Sequence, residues 1–145
     1  MEQETQFNAY SLLSGAAGLM RRMKKELPDK ELSLTERTVL LLISQHQKML
    51  PSQLASAANL STQLCSQVIG TLVRFGYIKK SASPDDKRKS FITVTVKGAQ
   101  RLEASKKKAS EWFLSLVEKC LNDKEIGLLG PASQMLHKLT AHVEK

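Results

Sequence analysis

The stretch that decides the fold reads Asn59-Leu60-Ser61-Thr62-Gln63-Leu64-Cys65-Ser66-Gln67-Val68-Ile69-Gly70-Thr71-Leu72-Val73-Arg74-Phe75-Gly76-Tyr77-Ile78. Ser61 suits a helix N-cap, where its hydroxyl accepts from one of the opening amides. Leu64, Val68, Ile69, Leu72 and Val73 recur at spacings of three and four, which predicts one buried stripe on a helix from about Thr62 to Phe75. Gly76 fits the left-handed position just past the helix end, and Tyr77 can then reach back to Leu72. The face left over is Thr62, Gln63, Ser66, Gln67, Gly70 and Thr71. It carries no charge, and every member except Gly70 has a hydrogen-bonding side chain. Gly70 inside the helix costs about 1 kcal/mol relative to alanine.

Upstream, Pro51 opens a short helix over Ser52-Gln53-Leu54-Ala55-Ser56-Ala57-Ala58, since a first-turn residue loses nothing by lacking an N–H. Before it, Ser33 and Glu36 have the spacing of a capping box, and Val39, Leu40, Leu42 and Ile43 give that second helix its apolar stripe. Residues 7–27 show helical spacing at Tyr10, Leu13, Ala17, Met20 and Leu27, and Pro28-Asp29 ends that helix.

Downstream the period changes to two. Tyr77–Ser81 and Phe91–Val96 read as strands, the second with Ile92, Val94 and Val96 on one face. Ser83-Pro84-Asp85-Asp86-Lys87-Arg88-Lys89 between them is a charged hairpin tip. Thr95 can cap a long fifth helix to about Leu121. Its apolar side takes in Leu102, Ala109, Trp112, Phe113, Leu116, Val117, Cys120 and Leu121. Asn122 and Glu125 repeat the capping-box spacing. In the last helix, with Ile126, Leu128, Leu129, Leu136, Leu139 and Val143, Gly130-Pro131 is expected to break or kink the rod.

Charge points to the partner. The chain has 145 residues with 22 Lys and Arg against 14 Asp and Glu, a net charge of +8. From Arg37 to Pro84 there is no acid in 48 residues, where even spreading would put roughly four or five. Acids beside phosphate would repel it, while Gln, Ser and Thr can read base edges. Helix, short turn, helix and basic hairpin together make a winged helix-turn-helix, with the hairpin as the wing. Gln63, Ser66 and Gln67 are the candidates for base edges, with Ser61 and Thr62 for phosphate and Thr71 on the same face. In the wing, Lys87, Arg88 and Lys89 supply positive charge for a minor groove, and Asp86 is placed to hold Arg88.

From Leu34 to Gly98 the chain resembles the MarR family of bacterial winged helix-turn-helix regulators. The resemblance is carried by Leu34-Thr35, Leu54-Ala55, Leu60, Ser66, Leu72, Gly76-Tyr77-Ile78, Pro84-x-Asp86-x-Arg88 and Val94-Thr95-x-x-Gly98. The sequence departs from the family at Leu50, where a Thr or Ser cap is usual, at Gln67 for a commonly basic residue, and at Lys87 for a common Arg. The resemblance implies a mainly helical protein with a small β-hairpin wing. It would be a homodimer joined through its N- and C-terminal helices, with the fourth helix in a major groove of double-stranded DNA and the wing in the adjacent minor groove. It further implies repression, or in some members activation, at pseudo-palindromic operators, with release by a small aromatic ligand or by thiol oxidation. Asp86 and Arg88 correspond to the family's wing pair.

This predicts three parts: a dimerisation helix over 7–32, a DNA-binding lobe over 33–98 and dimerisation helices over 99–145. The wide apolar faces of residues 7–27 and 99–143 support dimerisation independently, because so small a central lobe cannot bury both. Cys65 and Cys120, 55 positions apart, exclude a disulfide scaffold and a CxxC motif. Both read as small apolar residues, with a redox role as the alternative. His137 and His142 are five apart and do not share a helix face. No HExxH, GxGxxG, P-loop or GxSxG motif occurs, so the reading is a regulator and not an enzyme, without cofactor or metal. With Glu2 and Glu4 at the start and no run approaching the ~18 apolar residues of a span, a cytoplasmic protein is expected, without membrane contact. Two other functions fit the same residues: a winged-helix module binding an acidic protein, and a ligand or thiol sensor whose DNA contact is secondary.

Overall fold

The computed structural model describes residues 1–29 and 32–143; Lys30, Glu31, Glu144 and Lys145, at the edges of the expected parts, lie outside the described residues. The elements in chain order are α1 (Glu2–Glu26), α2 (Leu34–His46), β1 (Lys48–Met49), α3 (Pro51–Ala57), α4 (Thr62–Arg74), β2 (Ile78–Ala82), β3 (Ser90–Val94), α5 (Val96–Cys120), α6 (Asp123–Ile126) and α7 (Leu129–Val143). The fold is mainly α with a small antiparallel sheet. The chain divides into two compact units, residues 1–34 and 35–145.

In the first unit, α1 starts five residues before the expected position. Glu2 and Glu4 occupy its first turn and Lys24 and Lys25 its last, so both ends oppose the helix dipole. The helix buries none of its residues. Phe7, Tyr10 and Leu13 are about 70% exposed.

The second unit is built around the decisive stretch. Ser61 Oγ accepts from the Leu64 amide at 3.2 Å, which starts α4. The Tyr77 amide donates to the Leu72 carbonyl and the Gly76 amide to that of Val73, both at 2.9 Å, and Gly76 has φ +75°. This is the Schellman closure expected from the sequence. The buried stripe of α4 is Cys65, Val68, Ile69 and Leu72. Leu64 and Val73 were expected in it, yet they are 42% and 40% exposed. The stripe turns on Cys65 because Cys65 is three residues before Val68, four before Ile69 and seven before Leu72, whereas Leu64 lies one position, about 100°, to the side. The same core takes in Val39, Leu40 and Ile43 of α2, Leu54 of α3, and Ile78 and Ile92 of the sheet, all at most 2% exposed; α3 and β2 pack directly on α4.

The sheet has order β1-β3-β2. Ile78 pairs with Val94, Lys80 with Ile92 and Ala82 with Ser90, while β1 adds Lys48 opposite Thr93 and Met49 opposite Ile92. β1 was not expected, because two residues have no readable period. Val96 was expected to extend β3, but it opens α5 and is 77% exposed. The reason is Thr95, whose hydroxyl accepts from the Gly98 amide at 3.0 Å and ends the strand as a helix cap.

Thr95 also ties the lobe together. Its hydroxyl donates to the Gly76 carbonyl at 2.6 Å and its amide to the Tyr77 carbonyl at 3.0 Å. Lys97 Nζ donates to the Phe75 carbonyl at 2.8 Å. Gly98 lies against this knot so closely that a β-carbon there would fall 2.0 Å from the Tyr77 carbonyl oxygen. The recurring Gly-Tyr-Ile and Val-Thr-x-x-Gly signatures are thus two halves of one joint.

Beyond it, α5 buries Leu102, Ser105 and Val117, while Phe113 and Cys120 on its apolar side stay exposed. Asn122 and Glu125 form the expected capping box, with bonds of 2.9 and 3.1 Å. Gly130-Pro131 does not break the last helix as expected. The interruption falls at Gly127-Leu128, and Pro131 sits in the first turn of α7, where its missing N–H has no intrahelical partner to lose.

Candidate nucleic-acid interface

The core of α4 fixes which side chains face outwards. With Cys65, Val68, Ile69 and Leu72 inward, helical geometry centres the opposite face on Gln63, Gln67, Gly70 and Arg74, spaced i, i+4, i+7 and i+11. All four are exposed. Gln63 and Gln67 therefore hold central positions, while Thr62 and Ser66 flank them on the side of the sheet. Thr71 is less available. Its hydroxyl bonds back to the Gln67 carbonyl at 3.1 Å and receives Arg74 Nη2 at 3.4 Å, and the residue is half-buried. Ser61 uses an oxygen lone pair on the Leu64 amide but keeps its O–H free to donate.

Between the start of α4 and the wing lies a cleft of about 550 Å³. Thr62 and Ser66 line it from α4, Ser52 from α3, and Lys80, Arg88, Lys89 and Ser90 from the wing. None of its lining residues is acidic. Three cations and four hydroxyls thus face one trough whose chemistry is that of a phosphate site. Strand alternation explains the membership: Lys80 stands two residues after the buried Ile78 and opposite Ile92, on the inward face of the sheet where it reaches the edge of the core. Lys79 and Lys48, opposite Thr93, belong to the other face. There Lys48 Nζ sits 4.9 Å from the centre of the Phe91 ring.

The wing tip is ordered from within. The Ser83 amide donates to the Lys89 carbonyl at 2.8 Å and the Lys89 amide to the Asp86 carbonyl at 3.0 Å. Asp86 Oδ1 accepts from the Arg88 backbone amide at 3.0 Å, while Arg88 Nε lies at 3.7 Å. Asp86 therefore shapes the turn more than it restrains the guanidinium, whose side chain is 96% exposed. Lys87 is exposed outside the cleft.

Of the residues chosen from the sequence, Thr62, Ser66, Arg88 and Lys89 come together in the cleft, and Gln63 and Gln67 share the outward face. Arg74, Lys80, Ser52 and Ser90 were missed. Arg74 ends the helix, where a basic residue is adequately explained by the dipole. Its spacing of seven from Gln67 was the available signal.

Cys65 is 2% exposed and its thiol donates to the Pro51 carbonyl at 3.7 Å. Burial pushes that thiol's pKa up, which lowers its nucleophilicity at neutral pH. Cys120 is exposed. Among the described residues no group of three His, Cys, Asp or Glu side chains could hold a metal ion. No described helix is long and apolar enough to cross a membrane.

A helix-turn-helix with a wing, presenting uncharged hydrogen-bonding groups on one helix and cations on the hairpin, is a DNA-reading architecture. The MarR family model matches residues 32–90, which contain α2, α3, α4, β2 and the wing tip and end at the first residue of β3. Over those residues the chain is similar to the MarR family. It is 28% identical over 123 residues to the HTH-type transcriptional regulator YpoP of Bacillus subtilis, covering 85% of this chain and 86% of that one. A crystal structure of a protein from Pseudomonas aeruginosa, described as a transcriptional regulator, has a TM-score of 0.81 at 25% identity and covers 97% of both chains. Streptococcus pneumoniae FabT, solved in complex with DNA, shares the fold with a TM-score of 0.66 at 18% identity over 97% of this chain and 99% of its own.

Proposed function

We propose that this protein is a sequence-specific repressor that binds double-stranded DNA as a homodimer on a pseudo-palindromic site. One observation carries the reading: an acid-free cationic cleft separates the outward face of α4 from the wing tip. Adjacent major and minor grooves of a duplex are separated by a sugar-phosphate ridge. A protein that reads both needs a trough of positive charge and hydroxyl donors between its two reading elements. Lys80, Arg88 and Lys89 supply the charge, and Ser52, Thr62, Ser66 and Ser90 the hydroxyls. Gln63 and Gln67, with Arg74 beyond them, meet base edges in the major groove. Arg88 enters the minor groove from the wing, with Lys87 contributing charge. The amides at the start of α4, behind Ser61 and Thr62, add donors for a phosphate.

Dimerisation is supported within each unit separately. In α1 every apolar residue is left uncovered or half-covered. In the second unit Leu128, Met135, Leu136 and Leu139 are 46–63% exposed. Apolar faces of this extent belong to an interface, and two-fold symmetry would cover both at once. The two copies of α4 would then address half-sites about 34 Å apart. A dimer seated on a promoter excludes polymerase, which is the basis for repression. Relief follows if an effector, such as a small aromatic ligand, binds better to the free form of the protein than to the DNA-bound one. The burial of Cys65 favours a ligand over an oxidant acting there.

The test is selection of bound sequences from random duplex DNA, followed by titration of the winning duplex against salt. About eight phosphate contacts per dimer give a log–log slope near −7. Duplex binding that ignores salt, or binding to an acidic protein and to no duplex, refutes the proposal.

A further inference from the structure

The outward face of α4 holds one residue that the fold does not account for. Gly70 lies inside a 13-residue helix, where only proline is a poorer choice. Its backbone does not ask for glycine, because Gly76 alone among the described glycines has a positive φ. Packing does not ask for it either: a β-carbon on Gly70 would meet no atom within 4 Å. Gly98, by contrast, is forced by the Tyr77 carbonyl. Gly15, inside α1, is equally open; what sets Gly70 apart is its place among the hydrogen-bonding groups on the outward face of α4.

The surroundings define what fits. Gln63 and Gln67 precede Gly70 on the same face and Arg74 follows it, all three exposed. Two amides and a guanidinium thus wall a notch whose floor is the helix backbone. In a major groove the apolar group that projects from the base edges is the C5-methyl of thymine. We infer that Gly70 is a specificity-determining residue: the notch seats a thymine methyl against the backbone of α4 while the neighbouring side chains bond adjacent base edges. A methyl at position 70 would occupy the same space and hold the helix off the groove floor.

This rests on the DNA-binding reading above, and the experiment separates the two. In the duplex selected by the wild-type protein, each thymine of a half-site is replaced in turn by deoxyuridine, which removes only the methyl. Wild-type protein should lose about fourfold in affinity at one position, the worth of one buried methyl group. Gly70→Ala should bind the thymine duplex about tenfold more weakly and be indifferent to the methyl at that position. It should also melt at the same temperature or roughly 2–4 °C higher, because alanine is the better helix former. The inference is overturned if no thymine position responds, if Gly70→Ala binds like wild type, or if it keeps the wild-type thymine preference. A variant that melts lower overturns it as well, since the fold would then need the glycine. Wild-type protein that binds no duplex removes the DNA-binding reading itself, and the notch with it.

Discussion

Replacing Gly98 by alanine tests whether the joint between α4, the wing and α5 holds the reading lobe in shape. The new β-carbon would lie 2.0 Å from the Tyr77 carbonyl oxygen, 2.8 Å from its carbonyl carbon and 3.0 Å from its α-carbon. All three are backbone atoms, so no side-chain rotation relieves the clash. To restore ordinary contact the two segments must part by more than an ångström. That lengthens the 3.0 Å bond from the Thr95 amide to Tyr77 and strains the 2.6 Å bond from its hydroxyl to Gly76. Overpacking of a close contact costs roughly 1–3 kcal/mol, and the two hydrogen bonds add about 1 kcal/mol each. The better helix propensity of alanine returns about 1 kcal/mol. The expected loss is about 3 kcal/mol, a fall in Tm of roughly 6–12 °C for a chain of this size. Thermal and urea unfolding followed by circular dichroism measure it, with Gly70→Ala as the helix-propensity control. A Gly98→Ala protein melting within about 2 °C of wild type would refute the reasoning, because it would mean the joint opens at no cost.

The remaining predictions concern the surface and the thiols. Arg88→Ala should weaken binding several-fold on all sequences alike and flatten the salt slope by about one unit per half-site, whereas Gln67→Ala should shift base preference by roughly 1–3 kcal/mol at one position; selection with each variant distinguishes them, and an unchanged Gln67→Ala preference removes Gln67 from the base readers. A thiol reagent at pH 8 should label Cys120 at once and Cys65 only as the protein unfolds; prompt labelling of both would contradict the burial of Cys65. Since burial raises the Cys65 pKa, the thiol favours the folded chain below its unfolded pKa, and that contribution is lost as pH rises through the folded value. A Cys65→Ala variant should therefore lose less stability than wild type on alkaline titration.

Much of the lobe was legible because local and tertiary signals agree there. Ser61, Gly76 and Thr95 act as caps by chemistry that depends only on neighbouring residues, and each does so in the structure. The errors fall where two readings compete for one residue. Val96 is a good strand residue by propensity, but the Thr95 cap one residue earlier turns the chain into α5. Leu64 is more apolar than Cys65, yet the register set by Val68, Ile69 and Leu72 puts the cysteine inside. Pro131 breaks a helix only in its interior, and the position of a helix start cannot be read when Gly127 and Gly130 both offer one. In the site, the wing cations were visible as a charge run. Lys80 was not, because its place in the cleft depends on which face of β2 packs against the core, a fact settled by pairing with β3.

The bond between Tyr77 and Thr95 has an evolutionary corollary. It clasps the two ends of the wing at one point, and a second clasp from Ser83 to Lys89 isolates the tip. Inside the second clasp, residues 84–88 contribute nothing to the buried core, so the tip can change in length without disturbing it. Doubling a flexible tip costs only about 0.6 kcal/mol in closure entropy. Such a scaffold can trade one tip for another without relearning how to fold.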